Sequence, residues 1–150
     1  MTTIRDFMTE DHRRCDDVFA EVEQAIASGD WDGATASFSR FHAGVLQHFA
    51  TEESLLFPAF EEKTGMTMGP TQVMRSEHVQ MRELMAAAAE SLAAKDADGY
   101  SGNAETLLIM MQQHNMKEEN ILYPMCDQHL AAEAEELLPS LQASLAEAGK

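Results

Sequence analysis

Basic residues are scarce in this 150-residue chain. Lys and Arg number 10 against 26 Asp and Glu, a formal charge of −16 at pH 7. So acidic a surface repels phosphate backbones and anionic lipid headgroups, which argues against nucleic-acid and membrane partners. Cysteine is nearly absent: Cys15 and Cys126 form no C-x-x-C pattern, and reduced thiols in a cytoplasmic protein are expected. No window of about 20 residues is apolar enough to span a bilayer. The opening MTTIRDFMTEDHRR has no apolar leader core or cleavage pattern, which again points to a cytoplasmic location. Alternating β-branched runs are missing, so strands are not expected. Also missing are a paired acid and base, a nucleophile motif and a cofactor-binding loop, which leaves no support for a hydrolase or transferase.

What is present is a 66-residue echo. His12, His48 and Glu52 recur as His78, His114 and Glu118, and His48-Phe-Ala-Thr-Glu-Glu-Ser-Leu-Leu-Phe-Pro58 aligns without a gap onto His114-Asn-Met-Lys-Glu-Glu-Asn-Ile-Leu-Tyr-Pro124. Apolar residues recur at three and four, so the fold class is all-α: an up-down four-helix bundle built from two duplicated helical hairpins, plus a short C-terminal helix. The length fits a single domain spanning 1–150, with halves of about 1–66 and 67–132. The first helix is expected from Thr3, as N-cap, to Ala27, and the second from near Asp32, with Pro58 kinking or ending its regular part. Gly69-Pro70 opens a third helix running to about Lys95. Asp96–Gly102 reads as a turn and the fourth helix as starting near Asn103, meeting Pro124 as its counterpart meets Pro58. The tail, about 130–148, reads as an amphipathic helix interrupted near Pro139, placed to cap the bundle or to contact a partner such as a second copy.

Residues four apart share a helix face, so His48 with Glu52 and His114 with Glu118 each form a preformed half-site. One H-x-x-x-E is weak evidence; two in register, each with another histidine 36 residues earlier, are strong. His48 is flanked by Val45, Leu46 and Phe49, and His114 shares a face with Met110 and Met111, so both pairs point inward, where an uncompensated carboxylate is costly. Repeated imidazole plus carboxylate is the ligand set of a dinuclear metal centre, with His12, His48, Glu52, His78, His114 and Glu118 as its metal ligands. Asp16, Glu53 and Glu119 are further candidates for open positions, although a surface salt bridge is the preferred role for Asp16, and Glu53 and Glu119 read equally as partners of imidazole N–H groups and as solvated residues. His42 and His129 read as surface histidines. The 11 methionines read as core filling, with Met8 and Met74, one turn before His12 and His78, placed to shield the site from water.

Through Asp11-His12, His48-x-x-x-Glu52-Glu53, Glu77-His78 and His114-x-x-x-Glu118-Glu119, residues 1 to about 129 resemble the hemerythrin-like, or HHE cation-binding, four-helix bundle. The resemblance implies a non-heme di-iron centre in which Glu52 and Glu118 bridge the metals and the four histidines are terminal ligands, two per iron. Two irons with an oxo or hydroxo bridge would each keep one position open to a small molecule such as O2 or NO; tetrahedral zinc suits the same donors. Oxygen-carrying members use five terminal histidines, whereas Met74 and Arg82 flank His78 here, which counts against reversible oxygen carriage. The symmetrical motif pair is closer to members linked to repair of iron–sulfur centres under nitric oxide or oxidative stress, although their additional histidine and N-terminal cysteine-bearing domain are missing. Three functions follow from the resemblance: binding of O2 or NO in sensing, scavenging or stress response; iron donation to an iron–sulfur protein client; and a di-iron oxidase or peroxidase. The first is preferred.

Overall fold

Thr3 accepts the amide of Asp6 through its hydroxyl at 3.0 Å and so starts the first helix of the computed structural model, which describes residues 2–147. The first half contains α1 (Ile4–Ala27), α2 (Trp31–Thr51) and α3 (Phe57–Thr64). The second contains α4 (Pro70–Ala93), α5 (Ala97–Lys117) and α6 (Tyr123–His129), and α7 (Ala134–Ala146) follows. Each of α1 to α3 starts 66 residues before its counterpart. α1 packs along α2 and α4 along α5, and the two hairpins meet through α2 against α4 and, to the same extent, α1 against α6, giving the expected all-α bundle. Among the described residues there is no strand and no helix long and apolar enough to cross a membrane.

Two expectations for the second half change. Asp96–Gly102 is not a turn: α5 already begins at Ala97, because the Asp96 carboxylate accepts the Gly99 amide at 2.9 Å and caps the helix. Asp30 does the same for Gly33, also at 2.9 Å. A Cβ at either glycine would collide with the capping carboxylate, so glycine belongs to the cap and does not break the helix. Nor is the C-terminal helix interrupted at Pro139, which lies inside α7; residues 130–133 form the turn before it. Residue 148, in the expected span, lies outside the described residues.

The prolines act as the sequence suggests, by an unexpected route. Regular helix stops at Thr51 and Lys117, and π-helical turns at Glu52–Leu56 and Glu118–Leu122 carry the chain into α3 and α6. The Phe57 amide donates to the Glu52 carbonyl, and that of Tyr123 to the Glu118 carbonyl, five residues back. Pro58 and Pro124 have no amide to give, and the wider turn makes room for their rings without ending the rod.

The core divides into two apolar blocks. One, around Phe19, Phe38, Phe41, Met85, Tyr100 and Leu107, fills the hairpin-loop end. The other, around Ile4, Leu56, Phe60, Leu122, Leu141 and Leu145, fills the end covered by α7. Each fully buried Leu, Ile, Phe or Met contributes about 1.5–3 kcal/mol. α7 is pinned to α2 by Gln47, whose amide donates to the Ser144 carbonyl at 2.8 Å, and by a Thr51 to Ser144 hydroxyl contact at 2.5 Å. It therefore covers the open end of the bundle. Cys15 and Cys126 are buried free thiols.

Candidate metal centre

Between the two apolar blocks lies one buried polar layer, and all six residues singled out as ligands are in it. His12, His48, Glu52, His78, His114 and Glu118 are at most 6% exposed. Inward-pointing atoms of Glu52, His78, His114 and Glu118 lie within 4.8 Å of one another, as do those of His12, His48 and Glu118. Glu52 spans the two groups: its Oε1 faces His78 Nε2 at 3.2 Å and its Oε2 faces His48 Nε2 at 3.6 Å. Glu118 turns Oε1 to both His12 Nε2, at 3.1 Å, and His114 Nε2, at 3.2 Å.

Those contacts are not all hydrogen bonds. Glu52 Oε1, Glu118 Oε2 and the Nε2 atoms of His78 and His114 are buried with no hydrogen-bond partner. Four such atoms cost several kcal/mol if left so, at about 1–3 kcal/mol each. Their lone pairs converge on a shared volume, which is the arrangement a cation satisfies. The donor set fits a divalent or trivalent metal with mixed nitrogen and oxygen ligands.

Each imidazole is aimed by a carboxylate on its far side. His48 Nδ1–H donates to Asp11 at 2.7 Å, His78 to Glu53 at 2.7 Å, His114 to Glu77 at 2.8 Å and His12 to Glu119 at 2.8 Å. These bonds tie α1 to α2, the rod of α2 to α4, α4 to α5, and the rod of α5 back to α1, closing a ring around the bundle. They fix the tautomer that leaves every Nε2 free to face the centre. Three of the carboxylates are themselves held by cations: Asp11 by Arg14, Glu53 by both guanidinium nitrogens of Arg82, and Glu77 by Lys117.

Charge follows this geometry. Burial opposes ionisation of Glu52, but the His48 charge and surrounding hydrogen bonds hold it well below the usual carboxylate range. Burial likewise works against protonation of His48, yet the Glu52 charge and the Asp11 bond raise its pKa well above the ordinary value. Glu53 is pulled down to about 2, against burial, by its bonds to His78 and Arg82. Both shifts act in the direction of a protonated His48 beside an ionised Glu52 in the metal-free protein.

Of the lesser candidates, Glu53 and Glu119 turn to imidazole Nδ1 atoms, away from the convergent donors. Asp16 is exposed and outside both donor groups. His42 packs on Phe38 and exposed His129 meets the edge of Phe60, both away from the centre. Met8 and Met74 are buried in the block under α7, flanking the polar layer. Two kinds of residue were given no role by the sequence. Asp11 and Glu77 carry no obvious role until their partners are seen on the neighbouring helix, although both echo at 66. Tyr123, which the repeat aligns with Phe57 and to which no role was given, places its hydroxyl in the centre, 2.7 Å from Glu52 Oε2 and 3.0 Å from Glu118 Oε1.

The halves also differ beside the rings. Phe49 stacks on His78 at 3.8 Å and 12°, whereas the equivalent residue is the smaller Asn115. On that side lies a small cavity of about 10 Å³, lined by His12, His48, Asn115, Cys15, Val45, Phe49, Met81 and Met111.

Comparison with known proteins agrees with this centre. An uncharacterised hemerythrin-like protein of Schizosaccharomyces pombe is 26% identical over 136 residues, 89% of this chain, and the chain spans 64% of that relative's length. No solved structure matches significantly. Residues 3–126 match the family model described as the hemerythrin HHE cation binding domain, and the chain belongs to that family of cation-binding helical bundles.

Proposed function

We propose that this chain is a non-heme di-iron protein that binds a diatomic gas, O2 or NO, in sensing, scavenging or a stress response. Its metals are held by His12, His48, His78 and His114, with Glu52 and Glu118 shared between two positions. The observation that carries the gas reading is the cavity of about 10 Å³ beside His12 and His48, a space on the scale of one water-sized molecule with walls that are otherwise largely apolar. Iron supplies an electron-rich centre able to take up such a molecule at an open coordination position. The chain's own residues do the rest. Asp11, Glu53, Glu77 and Glu119 orient the imidazoles, Phe49 and the methionines exclude bulk water, and the carboxylate ring favours retention of the metal over its donation to a client.

The first experiment is metal analysis by mass spectrometry with optical spectra, on protein isolated anaerobically and then exposed to O2 or NO. A dinuclear complement of iron and a reversible change in the charge-transfer bands support the proposal. Zinc alone, or iron indifferent to both gases, overturns it. Glu52→Ala and Glu118→Ala each remove a shared carboxylate and abolish dinuclear loading; full iron retention in both variants would sink the ligand assignment.

A further inference from the structure

The two halves differ at one side chain that reaches the centre. Tyr123 stands where the repeat places Phe57, and the rings hold the same relation to their histidines. Tyr123 lies 5.7 Å from His12 at 30°, and Phe57 lies 5.7 Å from His78 at 24°. Both side chains are fully buried. Phe57 brings no donor atom. The Tyr123 hydroxyl lies 2.7 Å from Glu52 Oε2, 3.0 Å from Glu118 Oε1, 3.2 Å from His12 Nε2 and 3.2 Å from His48 Nε2.

That hydroxyl has a single proton. Metal binding requires His12 and His48 to be neutral; in that state, with both Nδ1–H groups committed to Asp11 and Glu119, their Nε2 atoms present lone pairs, and the carboxylate oxygens present more. Four acceptors therefore surround one O–H, and a phenol can donate to only one of them. A cation among them satisfies all at once. With metal–ligand bonds of about 2.0–2.2 Å, adjacent donors on an octahedron sit about 3 Å apart. The Tyr123 oxygen meets its four neighbours at 2.7–3.2 Å, which is that spacing.

The donor count is uneven in the same sense. Four protein donors, Glu52, His78, His114 and Glu118, lie within 4.8 Å of one another at one position, whereas at the other His12, His48 and Glu118 form the close group and Glu52 turns Oε2 toward it at 3.6 Å from His48 Nε2. The atoms without hydrogen-bond partners include Nε2 of His78 and of His114 but not of His12 or His48, which Tyr123 already meets.

Resting on the metal reading above, we propose that the Tyr123 oxygen is a ligand of the metal position held by His12 and His48, so that the two positions are chemically unequal. On ligation the phenolic O–H bond breaks, its proton leaves to solvent, and the oxygen lone pair forms the bond to the cation. No oxidant or reductant takes part in this step. The anionic oxygen makes that position the harder of the two and favours a trivalent ion there, while the Phe57 position lacks such a donor.

The test uses the whole chain, stripped of metal, loaded with ferrous iron and oxidised in air. Iron per chain, visible absorption and resonance Raman spectra are recorded for the wild type, Tyr123→Phe and Phe57→Tyr. The wild type is expected to show a phenolate-to-iron charge-transfer band with enhanced ring modes. The chain has 2 tyrosines, and Tyr100 lies in the far apolar block, so that signal identifies Tyr123 even if Tyr123→Phe fails to fold. Tyr123→Phe is expected to lose the band and the modes while keeping iron with His78 and His114. Phe57→Tyr is expected to add a second phenolate contribution. Wild-type protein that holds iron without phenolate modes, or modes that survive in Tyr123→Phe, would overturn the assignment and leave the metal reading standing. Wild-type protein that takes up no iron overturns both.

Discussion

Asp11 bonds not to His12, its neighbour in sequence, but to His48 across the helix interface, at 2.7 Å. Glu77 passes over His78 in the same way and meets His114 at 2.8 Å. Loss of such an outer partner commonly costs 10- to 100-fold in metal affinity, roughly 1.4–2.7 kcal/mol. Asp11→Asn and Glu77→Gln are each expected to weaken iron binding by about that factor while leaving the helical circular dichroism unchanged. Competition with a chelator of known affinity measures it, and unchanged affinity in both variants would refute the orienting role.

Asn115 is the small member of the Phe49 and Asn115 pair, and its size leaves the cavity beside His12 and His48. Asn115→Phe should fill that space. Stopped-flow mixing with NO is expected to show binding slowed by roughly tenfold or more, about 1.4 kcal/mol in the barrier, at unchanged iron content. Equal rates would place gas entry elsewhere. Met8→Ala with Met74→Ala, on the opposite side of the polar layer, is expected to speed access by admitting water and ligand.

The metal-free protein should depend on pH in a direction set by its histidines. The folded pKa of His48 lies well above 6.5. The extra proton held in the fold therefore stabilises it fully below pH 6.5, and the contribution disappears as pH rises through the raised value. Glu53, at about 2 against an ordinary 4.5, acts oppositely: its contribution is present above pH 4.5 and is lost as pH falls toward 2. Thermal melts of stripped protein should thus fall in Tm as pH rises above 6.5. Loaded protein should fall less, because the cation takes the place of the protons. A Tm of stripped protein that climbs across that range would contradict the charge assignment.

Lys95 has φ 54 where the first half uses Gly29 at φ 78. The left-handed conformation costs a non-glycine residue about 1–2 kcal/mol, partly offset for glycine by its greater freedom when unfolded. Lys95→Gly is expected to raise unfolding free energy by about 0.5–1 kcal/mol in denaturant titration, without effect on metal content. A loss of stability would show that the lysine side chain stabilises the turn by other means.

The six convergent donors and the bundle were legible in sequence because duplication repeats both the spacing and the chemistry. Legibility failed where one residue type serves two purposes. Asp96, Gly99 and Gly102 have the composition of a turn, yet the aspartate caps α5 and Gly99 is the residue its carboxylate can approach. Pro139 has the composition of a break, yet α7 continues through it, fastened by Ser144, Leu141 and Leu145. Asp11 and Glu77 were hidden because their partners lie 37 residues away on another helix. Tyr123 was hidden because an aromatic echo of Phe57 reads as core until the hydroxyl is placed.

The paired π turns carry a chronology. A turn closed five residues back holds one residue more than an α-helical turn, the mark of a single-residue insertion that a helix absorbs without breaking. Both halves hold it immediately after the inward carboxylate and immediately before the proline. One insertion inherited twice is a simpler history than two at the same place, so it belongs to a hairpin ancestor older than the duplication. Each half supplies the two histidines of one metal position, His12 and His48 or His78 and His114, so the two positions repeat with the hairpins. The fusion then released each half to change alone, and the departures from symmetry, Tyr123 against Phe57 and Asn115 against Phe49, are the younger part of the molecule.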